Sequence, residues 1–479
     1  MKMSLLDLSW FLLESEAIPV HGGFLYVFSP PAGAKPNFAD RIFTAMSKRP
    51  VGAPFNLRPK FAINAMPQWE KVEVALSNHV FRERLPSPGT QRQLFAAAAK
   101  AVNPPLPLSA PLWRFHWFDG LEGGRFAFLI TVHHSQWDGI GMFRLMGETL
   151  PDSPKSRTIR APWEGVSTWQ RRDVPKEAGP GALRKTTNLL TEAVRAVVDV
   201  SKAFTSHGTG LVAGSARRPM PFGAPEVRAE RRGSSERTYG MSRLPLARVK
   251  ALAKATESSV NDVMTTVIDS AYRAYLAERG LAADKPLVAL VPVALKVPGA
   301  GNQISGFVAK LGEPSSPPLA RLAEIKKSMA TGKGDIGRMS ATGAKLFAMI
   351  NMGVAAGPDL LRIGERMPVT ANLLISNPYG IPKPLYLNGG RLDYFMPLVG
   401  PSLGVRVAVG FMSYADETYV ALISTRSAVP GIDRLARLVE RSFRELERAS
   451  RVPAAERRAS RVRKKPTRRS RATATRAHA

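Results

Sequence analysis

Two adjacent histidines and an Asp-Gly pair, in FAFLITVHHSQWDGIGMFRL over Phe126 to Leu145, are the residues of this chain best suited to moving a proton. Histidine titrates closer to neutral pH than any other unperturbed side chain, which fits it to act as a general base. An apolar run ends at His133 and His134, a short loop follows, and a stretch with helical spacing begins after Asp138-Gly139. A base placed where a buried strand meets a loop sits at the floor of a cleft. Adjacent residues of a strand point to opposite faces, so only one of His133 and His134 faces a given cavity and the other packs in the core. A lone histidine on such a strand is most often a hydrogen-bonded core group; the strand before this pair and the helix after it make it a candidate site. Asp138 is placed to cap the helix that starts near Ile140, and Gly139 permits a backbone geometry that other residues resist. His134 and Asp138 also have helical metal-ligand spacing. Gly139 and the β-like run argue against a helix at that point, and no cysteine is present to complete a site, so no metal is expected.

The elements that must position these residues can be traced from the pattern. Large side chains alternate from Trp113 to Phe118, and turns follow at Asp119-Gly120 and Gly123-Gly124, which reads as a strand leading into the histidine-bearing strand. A second periodic unit begins at Pro245, where LPLARVKALAKAT is helical in spacing. A long apolar helix carrying Asn261 and Asp262 comes next, followed by the strand-like PLVALVPVAL. The strands VRVAVGFMSY and TYVALIST and an amphipathic helix from Asp433 to about Ala449 close the pattern. The Asn-Asp pair also has a purely structural reading, as part of a helix N-cap after Ser258-Ser259. From Pro151 to about Arg237 the composition turns to Pro, Gly, Ser and charge around a helix near Leu189 to Phe204, which reads as an interdomain connection.

A chain of 479 residues exceeds one ordinary core, and its 44% apolar content is that of a globular protein, so two domains are expected. Its lack of cysteine excludes disulfides, thiolate catalysis and cysteine-held metal, and is compatible with a reducing cytosol. The opening MKMSLLDLSWFLL is interrupted by Asp7, Glu14 and Glu16 and does not read as a signal peptide. No run approaches the roughly 18 apolar residues of a membrane span, so a soluble or peripheral protein is expected. The formal charge is +30, of which the tail from Arg451 supplies +10 through eleven Lys/Arg against one acid. That tail has almost no large apolar residues and is expected to be disordered. It suits an anionic membrane surface; nucleic acid is disfavoured, since no aromatic residues are interleaved for base stacking, and a merely solvated tail is the third option. Gly343 to Leu361, GAKLFAMINMGVAAGPDLL, reads either as an interfacial helix meeting lipid or as a core helix.

Two motifs fail on context. GPSLG, from Gly400 to Gly404, has the spacing of a nucleophile elbow, but a strand rather than a helix follows Ser402. GTGLVA, from Gly208 to Ala213, follows a helix rather than the strand that a dinucleotide fingerprint requires.

Taken together, HHSQWDG resembles the HHxxxDG motif of the coenzyme-A-dependent acyltransferase superfamily, and the chain resembles its bacterial wax ester synthase/diacylglycerol acyltransferase branch. The opening LLDLSWFLLESEAIPVHGGFLYVF, with Glu14, Ser15, Pro19, His21 and Gly23, is similar to that family's first signature. Pro111, Leu112 and Trp113 match a PLW motif, and Asn261-Asp262 an Asn-Asp motif. Gly301-Asn302, NLLISNPYG around Ser376 and Asn377, and PLYLNGGRL continue the series in order, so that the likeness covers roughly Met3 to Glu447. The chain departs from the pattern at Ser135, Gln136 and Trp137, which replace small or aliphatic residues, and at Tyr379 and Asp416 in place of a proline and a glycine.

The resemblance implies two α/β sandwiches of the chloramphenicol-acetyltransferase-like type with the active site at their interface. We place an N-terminal domain at 1–165, a connection at 166–237, a C-terminal domain at 238–450 and the basic tail at 451–479. It implies direct transfer of a long-chain acyl group from acyl-CoA, a co-substrate rather than a bound cofactor, to diacylglycerol or a fatty alcohol. His134 would be the general base, with no covalent intermediate, and His133 an orienting or packing residue. Asp138 would be structural and paired with an arginine that the sequence does not identify, beside Gly139. Asn261 would donate in the cleft, Asp262 would fix its helix, and Trp137 would set the bore of the substrate tunnel. The expected setting is cytoplasmic, in peripheral contact with the inner membrane or lipid inclusions. Acylation of a smaller alcohol, and a non-catalytic lipid-surface protein of the same fold, stand as alternatives.

Overall fold

In a computed structural model, residues 1–3, 5–14, 20–62, 65–137, 139–166, 224, 225, 227, 236–295, 303–340, 343, 347, 370–377, 380–398 and 405–451 are described. The strand that carries the histidines, β6 (Phe126–His133), is buried at all eight positions, and its neighbour β1 (His21–Ser29) at all but the last. Strands covered on both faces read as continuous apolar runs, which is how FAFLITVH and HGGFLYVF appear in the sequence. The two pair antiparallel with His21 opposite His133 and Phe28 opposite Phe126. Gly23 allows the close approach: a Cβ there would stand 2.5 Å from the Ile130 carbonyl oxygen. Outward from β6 lie β5 (Trp113–Asp119) and, parallel to it, β4 (Val80–Arg84).

The other edge of β1 is closed from far along the chain. β12 (Gly390–Leu398) pairs antiparallel with β1 from Gly23–Leu398 to Ser29–Arg391, and the short β11 (Tyr386–Leu387) lies beyond it. The first sheet is therefore six-stranded, β11-β12-β1-β6-β5-β4. This corrects the contiguous division at 1–165 and 238–450: two strands of the second stretch complete the sheet of the first. The physical reason is that β1, buried on both faces, would otherwise present an unpaired apolar edge.

The second sheet runs β7 (Arg237–Pro245), β14 (Glu417–Thr425), β13 (Val407–Tyr414), β10 (Leu373–Ser376), β8 (Val288–Leu295) and β9 (Gln303–Lys310). The alternation of strands and helices falls where the sequence pattern puts it. α5 (Leu246–Ala255), α6 (Val260–Ala277), α7 (Pro318–Arg338) and α8 (Ile432–Arg451) pack on one face. Strand period assigns the faces: Val407, Val409, Phe411, Val420 and Leu422 join that helical core. Ala408, Met412, Tyr414, Tyr419, Ala421 and Ile423 instead enter the core of the first sheet. The two sheets are stitched by polar contacts at this face. The Tyr414 hydroxyl donates to the Leu392 carbonyl at 2.8 Å and accepts from the Leu385 amide at 2.9 Å, and the Tyr419 hydroxyl donates to the Asp393 carbonyl at 2.9 Å. In the helical layer, Asp269 is fully buried and accepts from Arg321 at 2.6 Å and Arg273 at 3.1 Å.

The connection expected at 166–237 is described only at 166, 224, 225, 227, 236 and 237, and its helix, the Gly400–Gly404 and Gly208–Ala213 segments and the tail from 452 lie outside the described residues. Of Gly343 to Leu361, Gly343 and Phe347 are described, both helical and buried. Among the described residues no helix is long and apolar enough to cross a membrane.

Candidate functional site

The chain leaves the first sheet at His133. The His133 amide donates to the Leu112 carbonyl at 3.1 Å, and the His134 amide to the Val20 carbonyl at 3.2 Å. A turn then forms, with Gln136 and Trp137 amides on the His133 carbonyl at 3.0 and 3.2 Å. The PLW element thus has a backbone task, since Leu112 holds the strand end. Trp113 braces the same corner by donating its indole N–H to the Phe55 carbonyl at 2.7 Å and stacking on His79.

The two histidines have opposite hydrogen-bond assignments. The Ser135 amide donates to His133 Nδ1 at 3.1 Å, which makes that nitrogen the acceptor, and the Ser135 hydroxyl lies 2.6 Å from it. The proton is then on Nε2, which donates to Glu14 Oε2 at 3.3 Å. His133 is fully buried and its ring stacks on Phe11 at 4.8 Å. His134 is half-buried, and its Nδ1 lies 3.3 Å from the Trp137 carbonyl oxygen. A carbonyl only accepts, so Nδ1 carries the hydrogen and the lone pair of the neutral ring is on Nε2. Trp10 stacks on this ring at 5.2 Å. Trp10, Phe11 and Glu14 come from and just after α1 (Leu5–Leu13), which lies over the pair.

The three residues that depart from the family pattern serve as anchors. Ser135 holds His133, and the Gln136 side-chain amide donates to the Leu57 carbonyl at 3.0 Å. Trp137 is 2% exposed and packs on Phe55 at 5.2 Å, inside the aromatic core. Gly139 opens α4 (Gly139–Thr149) outside the left-handed region, and an added Cβ would meet nothing within 4 Å. The special backbone expected of it is therefore not needed. Asp138, Gly301, Asn302 and Tyr379 lie outside the described residues. Asp416 tolerates the place of a glycine because Ala415 takes the positive φ, 50°, in the β13–β14 turn.

His21, opposite His133, has its pKa lowered to about 4, first by burial and then by Arg237, and its Nε2–H donates to the Val102 carbonyl at 2.7 Å. Sequence reasoning placed His21 in a motif but assigned no site role to Glu14, Ser135 or Gln136. Only the position of Glu14 in the opening signature pointed to it.

In the second half, α6 begins with a reciprocal cap. The Asp262 amide donates to Ser259 Oγ at 3.1 Å, and the Ser259 amide to Asp262 Oδ2 at 2.9 Å. Asp262 fixes the helix, in agreement with the cap reading. Asn261, the residue before it, accepts from the Asn377 side-chain amide, which brings the Asn-Asp and Ser376-Asn377 elements together. Among the described residues no group of three or more His, Asp or Glu is arranged to hold a metal ion.

Comparison with known proteins gives two family matches. The wax ester synthase/diacylglycerol acyltransferase catalytic domain matches residues 3–264, and the WS/DGAT C-terminal domain matches residues 300–447. A probable diacylglycerol O-acyltransferase of Mycobacterium tuberculosis is 35% identical over 460 residues, covering 92% of this chain and 95% of that one. An O-acyltransferase of Acinetobacter baylyi is 28% identical over 450 residues, covering 92% and 96%. The solved wax ester synthase/diacylglycerol acyltransferase of Marinobacter aquaeolei superposes with a TM-score of 0.71 at 24% identity, over 94% of this chain and all of that one. The first condensation domain of the CDA synthetase shares the fold at a TM-score of 0.53 and 17% identity, over 94% and 96%.

Proposed function

The chain belongs to the wax ester synthase/diacylglycerol acyltransferase family, and from that premise we propose that it transfers a long-chain acyl group from acyl-CoA to a lipid hydroxyl through His134. It is an O-acyltransferase acting on lipid alcohols, and its products are triacylglycerol, wax ester or both. His134 Nε2 takes the proton of the acceptor hydroxyl as the oxygen attacks the thioester carbonyl. The tetrahedral intermediate collapses, the C–S bond breaks, and the imidazolium returns the proton to the leaving thiolate. No bound cofactor is called for. A positioned base of this kind contributes about 10²–10⁴-fold.

The observation that carries the assignment is the contrast between the two rings. His133 already accepts at Nδ1 from Ser135 and donates at Nε2 to Glu14, so protonating it would forfeit a buried hydrogen bond. His134 donates at Nδ1 to a backbone carbonyl, which leaves its basic nitrogen on the other side of the ring. His133 then orients the loop, Asp138 has a structural role, Gly139 starts α4, and Trp137 affects chain-length preference through the packing behind the histidines. Asn261, paired with Asn377, serves as a polar group of the cleft. We further propose a cytoplasmic setting, with peripheral contact to the inner membrane or lipid inclusions where the acceptors reside.

The test offers radiolabelled palmitoyl-CoA to the purified chain with hexadecanol or dioleoylglycerol, beside a folded His134→Ala variant. Ester that forms with the wild type and vanishes in the variant supports the reading, and the preferred acceptor identifies the product. Equal turnover by both proteins would remove His134 from the mechanism.

A further inference from the structure

Four of the six large apolar side chains exposed among the described residues gather on one unit: Met1 at 54%, Leu12 at 79%, Phe61 at 48% and Met66 at 56%. The unit consists of residues 1–3, α1 and the hairpin of β2 (Leu57–Ala62) with β3 (Ala65–Lys71). It is tied together by backbone bonds. The Trp69 amide donates to the Met1 carbonyl at 2.7 Å, the Met3 amide to the Pro67 carbonyl at 3.1 Å, and Lys2 bridges to Gln68. Phe11 of α1 meets Phe61 edge-on at 5.2 Å. Grouped exposed apolar side chains are unfavourable on a free surface and mark a place where something docks.

The same unit has a second side. Phe11 stacks on His133 and Trp10 on His134. One helix thus separates the apolar outer face from the proposed base. The charge around it favours one kind of partner: Lys2 and Lys71 are exposed on the unit, Arg58 and Lys60 outnumber the single Glu70 they share, and the chain carries +30. Apolar side chains beside basic ones are the composition of a protein face that lies on anionic lipid, the former entering the headgroup region and the latter attracted by its potential.

We propose that α1 and the β2–β3 hairpin form the face by which this protein seats on an anionic phospholipid bilayer, with the histidine pair directly behind it. The proposal rests on the acyltransferase reading only for the reason a lipid surface is wanted there, since the acceptor would then reach His134 without crossing water.

Because the chain has no cysteine, single-cysteine variants report position cleanly. Leu12→Cys and Met66→Cys, each carrying a polarity-sensitive fluorophore, are compared with Phe81→Cys and Leu108→Cys, the two other exposed apolar sites. Each full-length protein is mixed with vesicles of phosphatidylcholine alone or with added phosphatidylglycerol. The expected result is a blue shift, with quenching by a lipid-borne quencher, at positions 12 and 66 on phosphatidylglycerol vesicles only, and an unchanged spectrum at 81 and 108. A Leu12→Ser, Met66→Ser double variant of unchanged thermal midpoint should partition at least tenfold less than the wild type. Equal shifts at all four sites, vesicle binding without insertion at 12 and 66, or self-association that depends on these residues while vesicle binding does not, would overturn the proposal. Insertion without any acyl transfer would leave this face standing and remove the activity. Transfer to detergent-dispersed acceptors without insertion would do the reverse.

Discussion

The two halves of the molecule hold their motif residues by opposite means. The histidine loop is gripped from a distance: Glu14 lies 119 residues from His133 and Leu57 lies 79 from Gln136. In the second half, Asp262 is held by Ser259, three residues away. A local cap needs only its own helix. The histidines need a helix, a hairpin and two strands to be in place at once. The difference teaches that the first site is sensitive to the integrity of the whole first sheet, while the Asp262 cap is secured at the level of a single turn and its neighbour Asn261 reaches a distant element through Asn377.

The largest expected effect separates the two rings themselves. His134→Ala should lower turnover by about 10²–10⁴-fold with an unchanged melting temperature, whereas His133→Ala should lower the melting temperature as well, because it strips Ser135 and Glu14 of a buried partner. A calorimetric scan beside the radiolabel assay decides this. Next, Asp269→Ala should destabilise the chain by about 3–5 kcal/mol, since two largely buried arginines lose their common carboxylate. Urea unfolding measures it, and a second half that proved insensitive would show that its layer is held by apolar packing alone.

Acid should act on the first half through His21. Its folded pKa of about 4 lies below the ordinary 6.5, so the unfolded chain takes up the proton first as pH falls. Stability from this residue is full above pH 6.5, is lost between 6.5 and about 4, and amounts to roughly 3 kcal/mol at most. His116, with its pKa pushed down to about 4 by burial and by Arg114, adds in the same window. Urea midpoints at pH 7 and 4.5 test this, and His21→Gln should flatten the slope. The smallest effect makes the comparison directly, with one substitution in each half. Ser259→Ala should cost about 1 kcal/mol of stability and leave turnover unchanged. Ser135→Ala should cost about 1 kcal/mol and also lower kcat, because His133 Nδ1 loses the hydroxyl beside it and keeps only the backbone amide.

The same division explains what could be read from the sequence. Helical spacing, alternation and continuous apolar runs identified β6, β8, β13, β14, α5, α6 and α8, since each element's burial is written in its own residues. Ser259 and Asp262 form a box three residues apart and were legible as a cap. The supports of His133 were not, because nothing in Ser135 or Glu14 taken alone says which ring it will meet. The joining of β12 to β1 escaped notice for the same reason: GRLDYFMPL reads as a strand wherever it goes, and its partner lies more than 360 residues earlier. Gly139 misled in the other direction, as a glycine that suggested an unusual backbone stands where any residue would fit.

That pairing also sets a timetable for biogenesis. β1 leaves the ribosome more than 360 residues before the end of the strand that closes its free edge, at Leu398. At about 5–20 residues per second, the wait lasts roughly 20–70 s. For that interval the nascent N-terminal half exposes a long apolar strand edge of the kind that recruits other chains. Production of this protein is therefore limited by what shields that edge, and a fragment cut anywhere before β12 would keep it open permanently.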